Sequence, residues 1–179
     1  MPSGATHDRI TIMGLPLVGG IALLATHSPS IALTMASSFL FSGLMFGPDL
    51  DIYSVQYKRW GLFRWIWRPY QNAIRHRSWL SHGPIVGTAI RLLYLGSWVA
   101  VLGGIVLGIA IANRHPIGQW ETFVTGAKQS ILQYAGEFTA LLVGLELGAL
   151  SHSLSDHIGS AWKKWRKGKR SPQSRKTRR

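Results

Sequence analysis

The chain has no cysteine. That excludes a disulfide framework and a thiolate-bound metal, so any metal here must be held by nitrogen and oxygen donors. Acids are scarce as well. Seven Asp and Glu stand against 20 Lys and Arg, a formal net charge of +13. So basic a chain first suggests nucleic acid as a partner. The distribution argues against it: residues 163–179 hold ten of the basic residues and no acid, so the tail carries +10 and the rest of the chain only +3. The tail instead suits anionic lipid headgroups, and nucleic acid is not expected as a partner.

Charge is also missing from four long stretches. The hydrophobic share is 46% and the mean hydropathy is +0.12, high for a chain with this many cations. Both hold because the apolar residues are gathered into segments 10–26, 31–46, 85–112 and 131–150, with the charges between them. The third can cross a bilayer with tilt, and the fourth meets the requirement of about 20 residues. The first two are near the lower limit and joined by His27-Ser28-Pro29-Ser30, which reads as a tight helical hairpin or a re-entrant pair. A cleaved signal peptide fits residues 1–27 poorly, because no small-residue cleavage site precedes His27. The expected fold is an all-α integral membrane bundle of about four hydrophobic helices in residues 1–160, followed by a basic, disordered tail, 161–179. Lys58, Arg59, Arg64, Arg68, Arg75 and Arg77 crowd the loop between the second and third segments, whereas 113–130 has only Arg114 and Lys128 against Glu121. The positive-inside rule then puts both termini and the 49–82 loop in the cytoplasm.

Residues 52–75 interleave Tyr53, Tyr57, Trp60, Phe63, Trp65, Trp67 and Tyr70 with Lys and Arg. Beside apolar spans this composition predicts an interfacial segment against membrane lipid. Arg91 and Glu146 lie at similar depth in the third and fourth segments and predict an intramembrane ion pair. Gly104-x-x-x-Gly108 and Gly144-x-x-x-Gly148 predict close packing of those two helices on each other.

The remaining polar residues form four patches, one at an end of each apolar segment: Thr6-His7-Asp8, Asp49-Leu50-Asp51, His76 through His82, and His152 with Asp156 and His157. The charge-based topology, which made no use of these patches, brings all four to one face. His152 and Asp156 are four residues apart and share a helix face, a chelating pair for zinc or a similar ion. His157 is one step further round, as a supporting residue. Unpaired Asp and His at the mouth of a membrane bundle are costly unless a cation satisfies them. The expected metal ligands are His7, Asp49, Asp51, His76, His82, His152 and Asp156. A transporter fits less well, because these residues gather at one face and line no path through the bilayer.

Gly47-Pro48-Asp49-Leu50-Asp51, His76-Arg77-Ser78-Trp79-Leu80-Ser81-His82 and Gly148 through His152 to Asp156, in this order after an early His7, resemble the inner-membrane metal-dependent hydrolases of the LexA-regulated type. Together with the start Met1-Pro2-Ser3-Gly4 through Asp8, they resemble more closely a bacterial family of uncharacterised metal-binding membrane proteins. The resemblance covers residues 1–160 and implies a multi-pass protein of the bacterial inner membrane with a divalent ion, zinc before manganese or iron. Two departures reduce the ligand count implied by the hydrolases. The His76–His82 pair encloses five residues, one more than their usual spacing, and Ile52 stands where they often have another His. The six or seven candidate ligands then either saturate one ion or leave open positions on two. A more distant analogy runs to the all-helical, zinc-dependent phospholipase C and nuclease enzymes, which also use His-x-x-x-Asp/Glu pairs.

The chemistry expected of such a site is hydrolysis of a phosphoester or lipid-type substrate at the cytoplasmic face, with Asp51 or Asp8 as general base or bridging carboxylate and Arg77 facing an anionic group. The alternative is a non-catalytic metal-binding membrane protein with a sensor, structural or adaptor role.

Overall fold

The structure, a computed structural model, describes residues 4–113 and 120–170. Arg114 in the third connection and the last nine residues of the tail lie outside them. The described residues are helical and contain no strand. Four helices are long and apolar enough to cross a membrane. Exposed Leu17, Leu24, Leu93, Val106 and Leu142 cover their outer faces, a surface suited to lipid rather than water.

Helix α1 spans Gly4–Thr26, longer than its apolar run because the His7-Asp8 patch forms its first turns. His27 adopts a left-handed φ of 51° and ends α1. The Ser28 side chain then accepts the Ile31 N–H, with Pro29 in the first turn, and α2 runs Pro29–Leu44. The two helices form the expected hairpin. They approach closely at Gly43, where an added Cβ would meet Thr11 Oγ1 at 2.4 Å. Thr11 in turn donates to the His7 carbonyl at 3.0 Å.

A 3-10 turn, Pro48–Asp51, follows α2 and carries Asp49 and Asp51. Residues 55–73 form short helices, α3 Val55–Arg59 and α4 Arg68–Ala73, joined by the 3-10 stretch Gly61–Trp67. The aromatic segment divides between two surroundings. Tyr57, Trp67 and Tyr70 join Phe46, Leu50 and Leu145 in the buried core, while Tyr53, Leu62, Phe63 and Trp65 are exposed, as the interfacial expectation required of the whole segment.

Helix α5, Trp79–His82, leads to α6, Val86–Ala112. Helix α7, Trp120–Gln133, precedes α8, Ala135–Arg170, so the fourth span starts a few residues later than its apolar run. Residues 161–170, expected to belong to the disordered tail, continue α8 as helix. At 36 residues α8 would reach about 54 Å, well beyond a hydrocarbon layer of about 30 Å. Its last turns therefore project from the bundle.

Helix α8 packs mainly on α2 and touches α6 much less. Gly144 and Gly148 serve this α2–α8 contact: a Cβ at Gly144 would meet Ser38 Oγ at 2.0 Å, and one at Gly148 the Phe39 carbonyl at 2.6 Å. Ser42 seals it by donating to the Leu145 carbonyl at 2.5 Å. Gly104 and Gly108 have nothing within 4 Å, so the expected glycine-mediated packing of the third and fourth spans is replaced by packing of the second and fourth.

The expected Arg91–Glu146 ion pair does not form. Arg91 donates to the Ser81 carbonyl and to Thr88 Oγ1, both at 2.9 Å, tying α6 to α5. Glu146 accepts the Ile85 N–H at 2.8 Å. Ile85, a β-branched residue at φ 62°, caps α6 in a conformation its side chain disfavours, and Glu146 satisfies its orphaned N–H.

Candidate metal centre

The four patches meet at one end of the bundle. His7 comes from the start of α1, Asp49 and Asp51 from the turn after α2, His76 and His82 from the segment entering α6, and His152 and Asp156 from the buried face of α8. Backbone anchors hold the Asp49–Asp51 turn. Gln71 Nε2 donates to the carbonyls of Leu50 at 3.1 Å and Ile52 at 2.9 Å. Gln56 Nε2 donates to the Gly43 carbonyl at 2.9 Å, and Trp60 Nε1 to that of Met45 at 2.9 Å. Leu50, fully buried, plugs the aromatic core between the two carboxylates. The aromatic insertion thus scaffolds the turn.

Two groups of donors result, each with its ligand atoms within 4.8 Å of one another: His7, His152 and Asp156, and Asp49, His76 and His82. Asp49 stands between them. Its Oδ2 lies 3.2 Å from His152 Nε2, and its Oδ1 lies 3.8 Å from His82 Nε2. The rings of His7 and His152 stack with centroids 3.9 Å apart.

Hydrogen bonds orient three of the four histidines. Ser155 Oγ donates to the His152 carbonyl at 2.8 Å, so at 2.7 Å from His7 Nδ1 it accepts, and His7 carries its proton on Nδ1. Ser81 Oγ donates to the Ser78 carbonyl at 3.3 Å and accepts from His82 Nδ1 at 2.8 Å in the same way. Asp51, its side chain wholly buried, accepts from His76 Nδ1 at 2.8 Å. In each ring this leaves Nε2 as a bare lone pair, the state a metal-binding imidazole needs.

Two of those lone pairs face carboxylate oxygens, that of His82 at 3.8 Å from Asp49 Oδ1. His7 Nε2 lies 3.3 Å from Asp156 Oδ1. Asp49 Oδ1, Asp51 Oδ2, His82 Nε2, both ring nitrogens of His152 and Asp156 Oδ1 are buried without a hydrogen-bond partner. Orphaned buried polar atoms cost about 1–3 kcal/mol each, more when charged. Their concentration here, with acceptor facing acceptor, is resolved by cations placed among them. The residues present fit divalent metal.

Other expected site residues lie at the edge. Asp8 makes a bidentate pair with Arg59, at 2.8 and 2.5 Å, which holds that guanidinium above its ordinary pKa. Asp8 reaches the cluster only through a cavity of about 280 Å³ that also touches His7, Asp49, His152 and Asp156. Arg77, at φ 59°, points its guanidinium to Asp156 Oδ2 at 3.4 Å. His157 turns away and bonds the Ser153 carbonyl through Nδ1 at 2.8 Å. Sequence reasoning missed Ser155 and Ser81. Their roles depend on contacts that the helix pattern does not encode, and their one visible signal is a hydroxyl next to a ligand in sequence.

No curated protein and no solved structure matches the chain. Residues 2–166 match the family described as Uncharacterized metal-binding protein (DUF2227), which covers every residue of the cluster. The chain therefore belongs to this metal-binding family.

Proposed function

We propose that this protein is an integral membrane hydrolase that holds two divalent ions, zinc before manganese or iron, at the cytoplasmic ends of its helices. The observation that carries this reading is Asp49, which turns one carboxylate oxygen to each donor group. The bridging role expected of Asp51 or Asp8 would fall to Asp49, and Asp51 would instead orient His76. The first group, completed by Asp49 Oδ2, offers four donors. The second offers three, counting Asp49 Oδ1, which leaves a tetrahedral ion a free position. When bound, such ions supply an acidified water and polarise a phosphoryl or acyl oxygen.

The chain's own residues support this chemistry. Burial of Asp51 and Asp156 among helix ends limits water on that side of the cluster. Ser155, Ser81 and Asp51 fix the imidazole tautomers. Arg77 sets a charged fork beside Asp156, suited to an anionic substrate such as a phosphoester or lipid headgroup. The basic 49–82 loop and α8 extension favour the cytoplasmic face of a bacterial inner membrane. The four-donor group also suits a saturated structural ion, which favours a non-catalytic metal-binding role as the second reading.

The test is a hydrolysis screen of detergent-purified, metal-loaded full chain against phosphodiester, phosphomonoester and phospholipid substrates. Turnover in the wild type, reduced at least a hundredfold in His152→Ala/Asp156→Ala, supports the hydrolase. A fully loaded wild type inert to every class removes it and leaves the sensor or structural role.

A further inference from the structure

A second cavity of about 340 Å³, which shares Asp156 with the first and is not lined by Asp8, is walled by Arg77, His82, Asp156, His157, Ser160 and Lys164. His157, Ser160 and Lys164 recur at helical spacing, so α8 presents them as one stripe. With Arg77, the cavity offers two permanent cations, the imidazoles of His82 and His157, and a hydroxyl. Asp156 is the acid on its wall. Its ion pair with Arg77 is long at 3.4 Å, and its other oxygen faces His7. Lys164 has no ion pair among the described residues. His157 commits Nδ1 to a carbonyl, leaving Nε2 for the cavity. Arg77 holds its side chain here from a left-handed backbone position that a non-glycine residue rarely takes.

We infer that this cavity is a phosphate subsite: it seats a phosphoryl group of the substrate against Arg77 and Lys164, in contact with the ligand residues His82 and Asp156. The inference deepens the proposed function and rests on it for the neighbouring metals. A planar guanidinium forking onto two oxygens, with an ammonium and a hydroxyl on the others, suits a tetrahedral phosphate. A phospholipid headgroup and a soluble phosphoester share this chemistry.

The experiment titrates inorganic phosphate into zinc-loaded full chain in detergent by calorimetry, for wild type, Arg77→Gln, Lys164→Gln and the double variant. Zinc content is measured on each sample. Lys164→Gln touches no ligand residue, so its result stands even if Arg77→Gln disturbs Asp156. We expect about tenfold weaker phosphate binding for each cation removed, with zinc content unchanged. Phosphate affinity unmoved by all three variants at normal zinc content overturns the subsite and leaves the metal reading intact. A wild type without zinc refutes the metal reading, and phosphate binding that still falls in the variants then supports the subsite alone. Competition then separates the sources. Displacement by phosphatidic acid in phosphatidylcholine vesicles assigns a lipid, displacement by glycerol phosphate alone assigns a soluble ester, and displacement by neither overturns the inference.

Discussion

Replacing Ser155 with alanine tests the site's construction without touching a ligand. The Ser155 hydroxyl receives the His7 Nδ1 proton at 2.7 Å and passes its own to the His152 carbonyl at 2.8 Å. Its loss removes the hydrogen bond that fixes the His7 tautomer. A net hydrogen bond contributes about 1 kcal/mol, and partners behind a ligand histidine typically change metal affinity by about 10–100-fold. Alanine is the better helix former by a few tenths of a kcal/mol, and it retains the fold of α8. Ser155→Ala should therefore weaken one class of zinc site by about tenfold, leave the other class unmoved, and lower metal-free stability by about 1 kcal/mol. Competition against a fluorescent chelator resolves the two classes, and a thermal scan of the metal-free protein gives the stability. Two unchanged classes would refute the role assigned to Ser155. Equal weakening of both, alongside a metal-free loss of several kcal/mol, on the order of a broken core contact, would show that it acts on the fold alone.

Further outcomes follow from the packing. Arg91→Met strips the Ser81 carbonyl and Thr88 of a buried donor and should cost about 2–4 kcal/mol, and the exchange Arg91→Glu with Glu146→Arg should express no better than either single change, because the two side chains serve different partners. Rescue by the exchange in a membrane-expression assay would contradict this. Gly144→Val should cost more than about 3 kcal/mol and collapse the folded yield in size-exclusion profiles, since even a Cβ meets Ser38 Oγ at 2.0 Å, while Gly104→Val should be silent. Because the chain has no cysteine, single cysteines report topology cleanly. Ser28→Cys should label with an impermeant maleimide in intact cells and Ser160→Cys only after lysis, and the opposite pattern would invert the proposed orientation.

The apolar runs, and the gathering of Asp and His at their ends, made the bundle and the candidate ligands legible in the sequence. Composition and 3.6-residue spacing carry that information directly, as His152 and Asp156 show. The division of labour between Asp49 and Asp51 was not legible. On a 3-10 turn, residues two apart point about 120° from each other, so one carboxylate faces the donor groups and the other backs His76. The Arg91–Glu146 expectation failed because equal depth does not make two side chains face each other. A strained cap at Ile85 claimed the glutamate, and the carbonyl at the end of α5 claimed the arginine. The aromatic stretch misled for a related reason. Exposed and core-facing tryptophans have the same composition, and packing against Phe46 and Tyr70 separates Trp67 from Trp65.

The most direct test of the account is the metal stoichiometry of the purified full chain beside Asp49→Ala and Asp156→Ala, measured by elemental analysis after zinc loading and removal of excess. The account predicts about two equivalents in the wild type, about one in Asp156→Ala, and loss of both or near-complete loss in Asp49→Ala, because a shared carboxylate serves both ions. A wild type that holds one ion, and holds it equally well without Asp49, would contradict it.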